Sequence, residues 1–277
     1  SIATLGNVSL FITLFFIASP FILLISAHRY LKRFTDNAWL AAGASLLYAI
    51  SPVSIAAINS GRIGVIVFMA LLPFFAMQMH GWNLIESRSW RSIFAMSLFI
   101  WVLFAFNPAV ILVVFVAVAY GIYKDLLKAS HNYRDQLFIN RTLRRATILF
   151  APFFLSAPGS FALLIHPSRL LGEIGMYIPG GGPNLSFLSN PGGPGSLPWW
   201  VISPLTFILF VAYFSTTAAR RFAATGLVFL LAGTFLSAFA VSGHGSAAST
   251  RVFAGTFIAA STLSSIAAAV RQDSSSS

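Results

Sequence analysis

Residues 38–79 read AWLAAGASLLYAISPVSIAAINSGRIGVIVFMALLPFFAMQM: two long apolar runs separated by the turn Asn59-Ser60-Gly61. Before the first run lies His28-Arg29-Tyr30-Leu31-Lys32-Arg33, and after the second lies the loop His80 to Arg91 with Arg88 and Arg91. The turn between them carries one cation, Arg62. An apolar helix of about 20 residues matches the hydrocarbon thickness of a bilayer. Two such helices joined by a tight turn bring the chain back to its starting side, so both basic flanks fall together. Lys and Arg gather on the cytoplasmic side of membrane proteins. The stretch therefore predicts two spans, with the turn outside and the basic flanks inside.

The same alternation extends in both directions. A first span runs from Val8 to Ala27 with Pro20 inside it, and a basic loop follows from His28 to Asp36. The second span, Ala38 to Ile58, is interrupted at Ser51-Pro52; the third, Arg62 to Met79, contains Pro73. The stretch 92–123 is too long for one span and has Asn107-Pro108 near its centre. A residue before proline is disfavoured in helical conformation, so two short helices are expected, 92–106 and 108–123. A single kinked helix would carry the basic segment 124–145 to the opposite side. Ala146 to Ile165, broken by Pro152 and Pro158-Gly159, is the sixth span. Trp199 and Trp200 head the seventh, which ends near Thr217; Phe222 to Val241 and Val252 to Val270 complete the set. The expected architecture is an all-α polytopic transmembrane bundle of about nine spans, N-terminus outside and C-terminus inside. All but three of the 17 Lys and Arg then lie inside, the exceptions being Arg62, Arg169 and Arg251; of the six acids only Glu173 lies outside.

Composition agrees. The chain is 57% hydrophobic and 8% charged, whereas a soluble domain carries about 25% charged residues. So few charges cannot cover a water-soluble fold, and lipid must cover much of the surface. The net charge of +11 suits cytoplasmic flanks facing anionic headgroups rather than nucleic acid. With no cysteine, disulfides, thiolate metal sites and Cys nucleophiles are excluded. The chain starts at Ser1, with no basic region before the apolar run after Asn7. It therefore reads as one membrane domain, 1–277, excerpted from a longer protein, without a cleavable signal peptide. Its place is a plasma membrane, multi-pass, and its first partners are membrane lipids.

Two segments stand apart. In 124–145, Leu126, Leu127, Leu137, Phe138 and Leu143 lie among cations, the pattern of a cytoplasmic amphipathic segment at the interface. The external stretch 166–198 is rich in Pro and Gly, and loops of this length are often functional.

The external face offers few groups for chemistry: Arg62, Arg169, Arg251, Glu173, His166, His244, Asn59 and Asn107. Arg62 and Arg251 stand at predicted helix starts, where backbone N–H groups favour anions, and the guanidinium suits phosphate. Arg62 and Arg251, with Arg169, Asn59 and His244, are thus candidates to contact a lipid phosphate or a phosphate-linked sugar. The competing reading makes each arginine an interfacial anchor. Glu173 is the candidate general base, weakened by having no second external carboxylate. His166 and His244 lack the partners of a metal site, and Gly180 to Gly182 lack the Lys-Ser/Thr of a phosphate loop. No metal and no cofactor is expected in this chain. Away from helix ends no ionisable acid or base lies within a span, which argues against ion-coupled transport.

The segments SPVSIAAINSGRIGVIVFMALLPFFA (51–76), NPAVILVV (107–114), HPSRLLGEIG (166–175) and NPGGPGSLPWWVISPL (190–205) resemble the membrane region of large actinobacterial family-2 glycosyltransferases. The resemblance covers about Leu46 to Val270. It implies a role in building cell-envelope polysaccharide or glycolipid, in a bacterial inner membrane. It also implies a cytoplasmic catalytic domain of the same full-length protein as partner, and a polyprenyl-phosphate or glycolipid substrate. Gly61, Arg62, Gly64, Pro167, Arg169, Pro191 and Gly192 fall on recurring motif positions. The family's nucleotide-sugar site is a soluble α/β domain with metal-binding acids. This chain has no Asp-x-Asp triplet, so no catalytic residue carries over. Two alternatives stay open: a membrane-embedded transferase using a lipid-linked sugar donor with Glu173 as base, and a non-enzymatic lipid or glycan transporter.

Overall fold

The computed structural model describes residues 8–59, 61–80, 89–108, 110–128, 136–165, 203–214, 217–241 and 260–271. All regular structure among them is helical. In chain order the helices are α1 (Val8–Leu31), α2 (Ala38–Ala49), α3 (Pro52–Asn59), α4 (Ile63–His80), α5 (Trp90–Phe106), α6 (Val110–Lys128), α7 (Gln136–Leu155) and α8 (Gly159–Ile165), followed by α9 (Ser203–Phe214), α10 (Thr217–Val241) and α11 (260–271).

Two helices, Val8–Leu31 and the Val110–Leu127 part of α6, are long and apolar enough to cross a membrane. At 1.5 Å per residue the 24 residues of α1 extend about 36 Å. A third candidate is the pair α2–α3, bent by 40° between them. Helices α4 and α5 are apolar but shorter. Among the described residues these lengths support two spans, or three if the bent pair is one.

The chain divides into two compact units, one of Ser1–Phe74 with Gly175–Ser277, the other of Phe75–Ile174. In the first, α1 packs on α2, and α9 on α10. The rings of Phe34, after α1, and Phe222, in α10, meet edge to face at 5.1 Å. In the second, α5, α6 and α7 pack on one another.

Helix α1 mixes polar and apolar residues inward and is apolar outward. Ser19, Ser26 and Tyr30 are buried, whereas Leu10, Leu14, Ile17, Phe21 and Ile25 form an exposed stripe, Phe21 being 68% exposed. The spacing of three and four keeps this stripe on one face. A surface of large apolar side chains suits lipid, not water. Two buried hydroxyls find partners on their own helix: Ser26 donates to the Leu23 carbonyl at 2.9 Å and Ser97, in α5, to that of Ile93 at 3.0 Å.

Proline explains two further polar contacts. A proline inside a helix leaves the carbonyl four residues earlier without its N–H donor, and lipid offers no replacement. Pro20 frees the carbonyl of Phe16, and the Ser19 hydroxyl donates to it at 2.8 Å. Pro73 frees that of Met69, and the Tyr48 hydroxyl of α2 donates to it at 2.8 Å. Tyr48 is fully buried, so this bond also joins α2 to α4.

The break at Asn107-Pro108 separates α5 from α6, as its sequence predicts. Asn107 caps α5 in extended conformation, φ −146° and ψ 94°, its N–H donating to Leu103. Pro152, by contrast, sits inside α7 without ending it. The helix ends three residues later, where Ser156 and Ser160 donate to the carbonyls of Pro152 and Phe153 at 3.0 and 2.7 Å. Of the basic segment 124–145, residues 124–128 close α6 and residues 136–145 form the first half of α7. The external loop 166–198 lies outside the described residues.

Candidate functional site

The α3–α4 junction holds the sequence-predicted site residues that the structure describes. Pro52 begins α3, a position where its missing N–H costs nothing. At the other end, the Gly61 N–H donates to the Ile58 carbonyl at 3.1 Å and the Arg62 N–H to that of Ala57 at 2.8 Å. This nested pair is a Schellman closure. It needs a residue in left-handed conformation, and Gly61 supplies it with φ +69°. Arg62 then caps α4, its carbonyl accepting from the Ile66 N–H at 3.3 Å.

Arg62 is 1% exposed, the bulkiest of the fully buried side chains. Asn59, three residues earlier, is exposed. The two therefore differ: Asn59 stands at the surface of the turn and Arg62 inside the protein. A snorkelling anchor extends its guanidinium to the headgroups, and a side chain this buried does not have that geometry. What the junction combines is a buried cation and the start of an 18-residue helix, whose first N–H groups lack partners within the helix. Both favour an anion. The other candidates, Arg169, Glu173, His244 and Arg251, with His166, Pro167, Pro191 and Gly192, lie outside the described residues.

A second cluster was not foreseen in the sequence. Asp125, near the end of α6, is buried and ion-paired with Arg145 of α7, and the Arg141 Nη1 lies 3.8 Å from its Oδ1. Arg145 is 4% exposed. It reaches this position because residue 121 is glycine: a Cβ there would lie 2.8 Å from Arg145 Nε and 2.9 Å from Cζ. Nearby, Arg144 stacks over the Trp90 ring at 5.4 Å and Lys124 over Tyr120 at 5.2 Å. The signal was present as spacing, with Gly121 and Asp125 four apart on one helix and Arg141 and Arg145 four apart on the next. Read only as a charge run, those arginines appeared to face lipid. Among the described residues no three of His, Asp and Glu gather to hold a metal.

No known family model matches this chain, and neither a curated protein nor a solved structure matches it.

Proposed function

We propose that this chain is the multi-pass membrane domain of a cell-envelope glycosyltransferase, that it handles a polyprenyl-phosphate or glycolipid substrate, and that the sugar-transfer chemistry belongs to a cytoplasmic catalytic domain of the same full-length protein. In this reading the chain crosses a bacterial inner membrane about nine times, with the basic loops inside and the α3–α4 turn outside. The short apolar helices α4 and α5 act as spans in a bundle, where tilt and local bilayer thinning accommodate length.

One observation carries the substrate class: Arg62 is a buried cation at the N-terminus of α4. A guanidinium matches the geometry of phosphate oxygens, and the first N–H groups of α4 favour an anion beside it. The motif resemblance supports the glycosyltransferase context, and the sequence reading assigns Arg251 to the same ligand.

The test is binding of polyprenyl phosphate to the purified chain in lipid nanodiscs. Wild type is compared with Arg62→Gln, Arg251→Gln and the double variant, using Arg62→Lys to retain the buried charge. Saturable binding weakened about tenfold or more in each Gln variant is expected, the range for a charge-assisted hydrogen bond. Equal binding by wild type and the folded double variant contradicts the assignment.

A further inference from the structure

The seam between α6 and α7 carries donors that its own acceptors do not use. Arg145 and Arg141 both approach the carboxylate of Asp125. The Arg145 guanidinium lies flat across Gly121: Nε, Cζ and Cδ would all stand within 2.8 to 3.2 Å of a Cβ at that position. Arg145 donates Nη1 to Asp125, but its Nε is buried and has no hydrogen-bond partner among the described residues, and the same holds for Thr142 Oγ1. Residues 142 and 145 are three apart on one helix, hence neighbours on one face. Buried donors of a charged group are seldom left unmade, since the loss is larger than for a neutral pair.

We propose that this seam binds a phosphate group, with the Arg145 Nε edge and the Thr142 hydroxyl as its donors and Arg141 at its mouth. Phosphate supplies several acceptor oxygens and a negative charge, both suited to the buried Arg145 guanidinium. Access runs past Arg141, whose side chain is 22% exposed, the Asp125 and Arg145 side chains being the deeper members. The depth is that of lipid headgroups. Trp90, Tyr120 and Tyr123 surround this end of the helices at 42%, 58% and 58% exposure, and exposed Trp and Tyr mark the membrane–water interface. The source of the phosphate is a phospholipid headgroup or a free phosphate ion. The site lies on the basic side, in 75–174, and does not depend on the reading of Arg62.

The test is native mass spectrometry of the full chain released from phosphatidylcholine nanodiscs that contain a minor fraction of phosphatidylglycerol. Arg145→Lys keeps the charge and a donor for Asp125 but lacks the Nε edge; Thr142→Val removes the hydroxyl at nearly constant shape. Wild type is expected to retain one phosphatidylglycerol, and both variants to retain it about tenfold less. Lys124→Gln, which removes an exposed charge, is expected to behave as wild type. Unchanged retention in Arg145→Lys, or an equal loss in Lys124→Gln, overturns the site, because attraction is then diffuse or the donors hold only water. Added inorganic phosphate separates the sources: displacement of the lipid assigns the site to the free anion, and resistance assigns it to the headgroup.

Discussion

Tyr48 and Pro73 function as a pair although 25 positions separate them in the chain. The proline removes a donor from the Met69 carbonyl and the tyrosine hydroxyl replaces it at 2.8 Å. Tyr48→Phe is therefore expected to destabilise the protein by about 1–3 kcal/mol, the cost of a buried acceptor left unmade. In a Pro73→Ala background residue 73 regains its N–H, so the same substitution is expected to cost less. Thermal unfolding of the four proteins in detergent checks this, and equal costs in both backgrounds refute the pairing. At Gly61 the argument is conformational. Nothing lies within 4 Å of a Cβ built there, yet φ is +69°. Gly61→Ala is expected to cost about 1 kcal/mol from backbone strain alone, and Gly61→Asn less, because Asn tolerates this region better. A larger loss for Asn than for Ala in the same melts excludes a purely conformational origin.

At the scale of elements, the boundaries that proline and glycine set were legible. The interruption at Ser51-Pro52, the turn at 59–61 and the break at Asn107-Pro108 all occur where the sequence places them, because these residues act on their own backbone. The extent of α1 was legible less well: it continues past Ala27 through Arg29 to Leu31, since a basic flank ends a membrane span without ending a helix. Packing was not legible. Gly226 of α10 shows why: a Cβ there would stand 2.6 Å from the Leu209 Cδ2 of α9 and 3.2 Å from the Ser264 Cβ of α11. Three helices thus meet at a residue that hydropathy treats as neutral. Small residues of this kind allow close approach of membrane helices. Gly226→Ala is expected to be mild, since the Leu209 methyl can rotate away. Gly226→Leu is expected to lower the unfolding midpoint in detergent clearly, by overpacking of about 1–3 kcal/mol. Equal midpoints for the two variants place this glycine outside a tight seam.

For the whole molecule, composition and charge order identify an all-helical, lipid-facing chain, and they do so because both are averages over every residue. The candidate site was legible only in part. The sequence marks Arg62 as an unusual cation on its side, but not that it is 1% exposed, which depends on residues distant in the chain. Asp125 was counted as one more inside charge, and its burial under Arg145 follows from the meeting of two helices. The same limit applies to α2–α3, whose 40° bend fits either a broken span or a re-entrant loop.

That ambiguity sets the decisive measurement. The chain has no cysteine, so one introduced thiol reports alone. Lys32→Cys, Asn59→Cys and Lys124→Cys, all at exposed positions, are to be labelled in sided membrane vesicles with an impermeant maleimide. The account predicts that residues 32 and 124 react from one side and residue 59 only from the other. Reaction of residues 32 and 59 from the same side makes α2–α3 a re-entrant pair, moves Arg62 to the basic face, and contradicts the proposed external phosphate site.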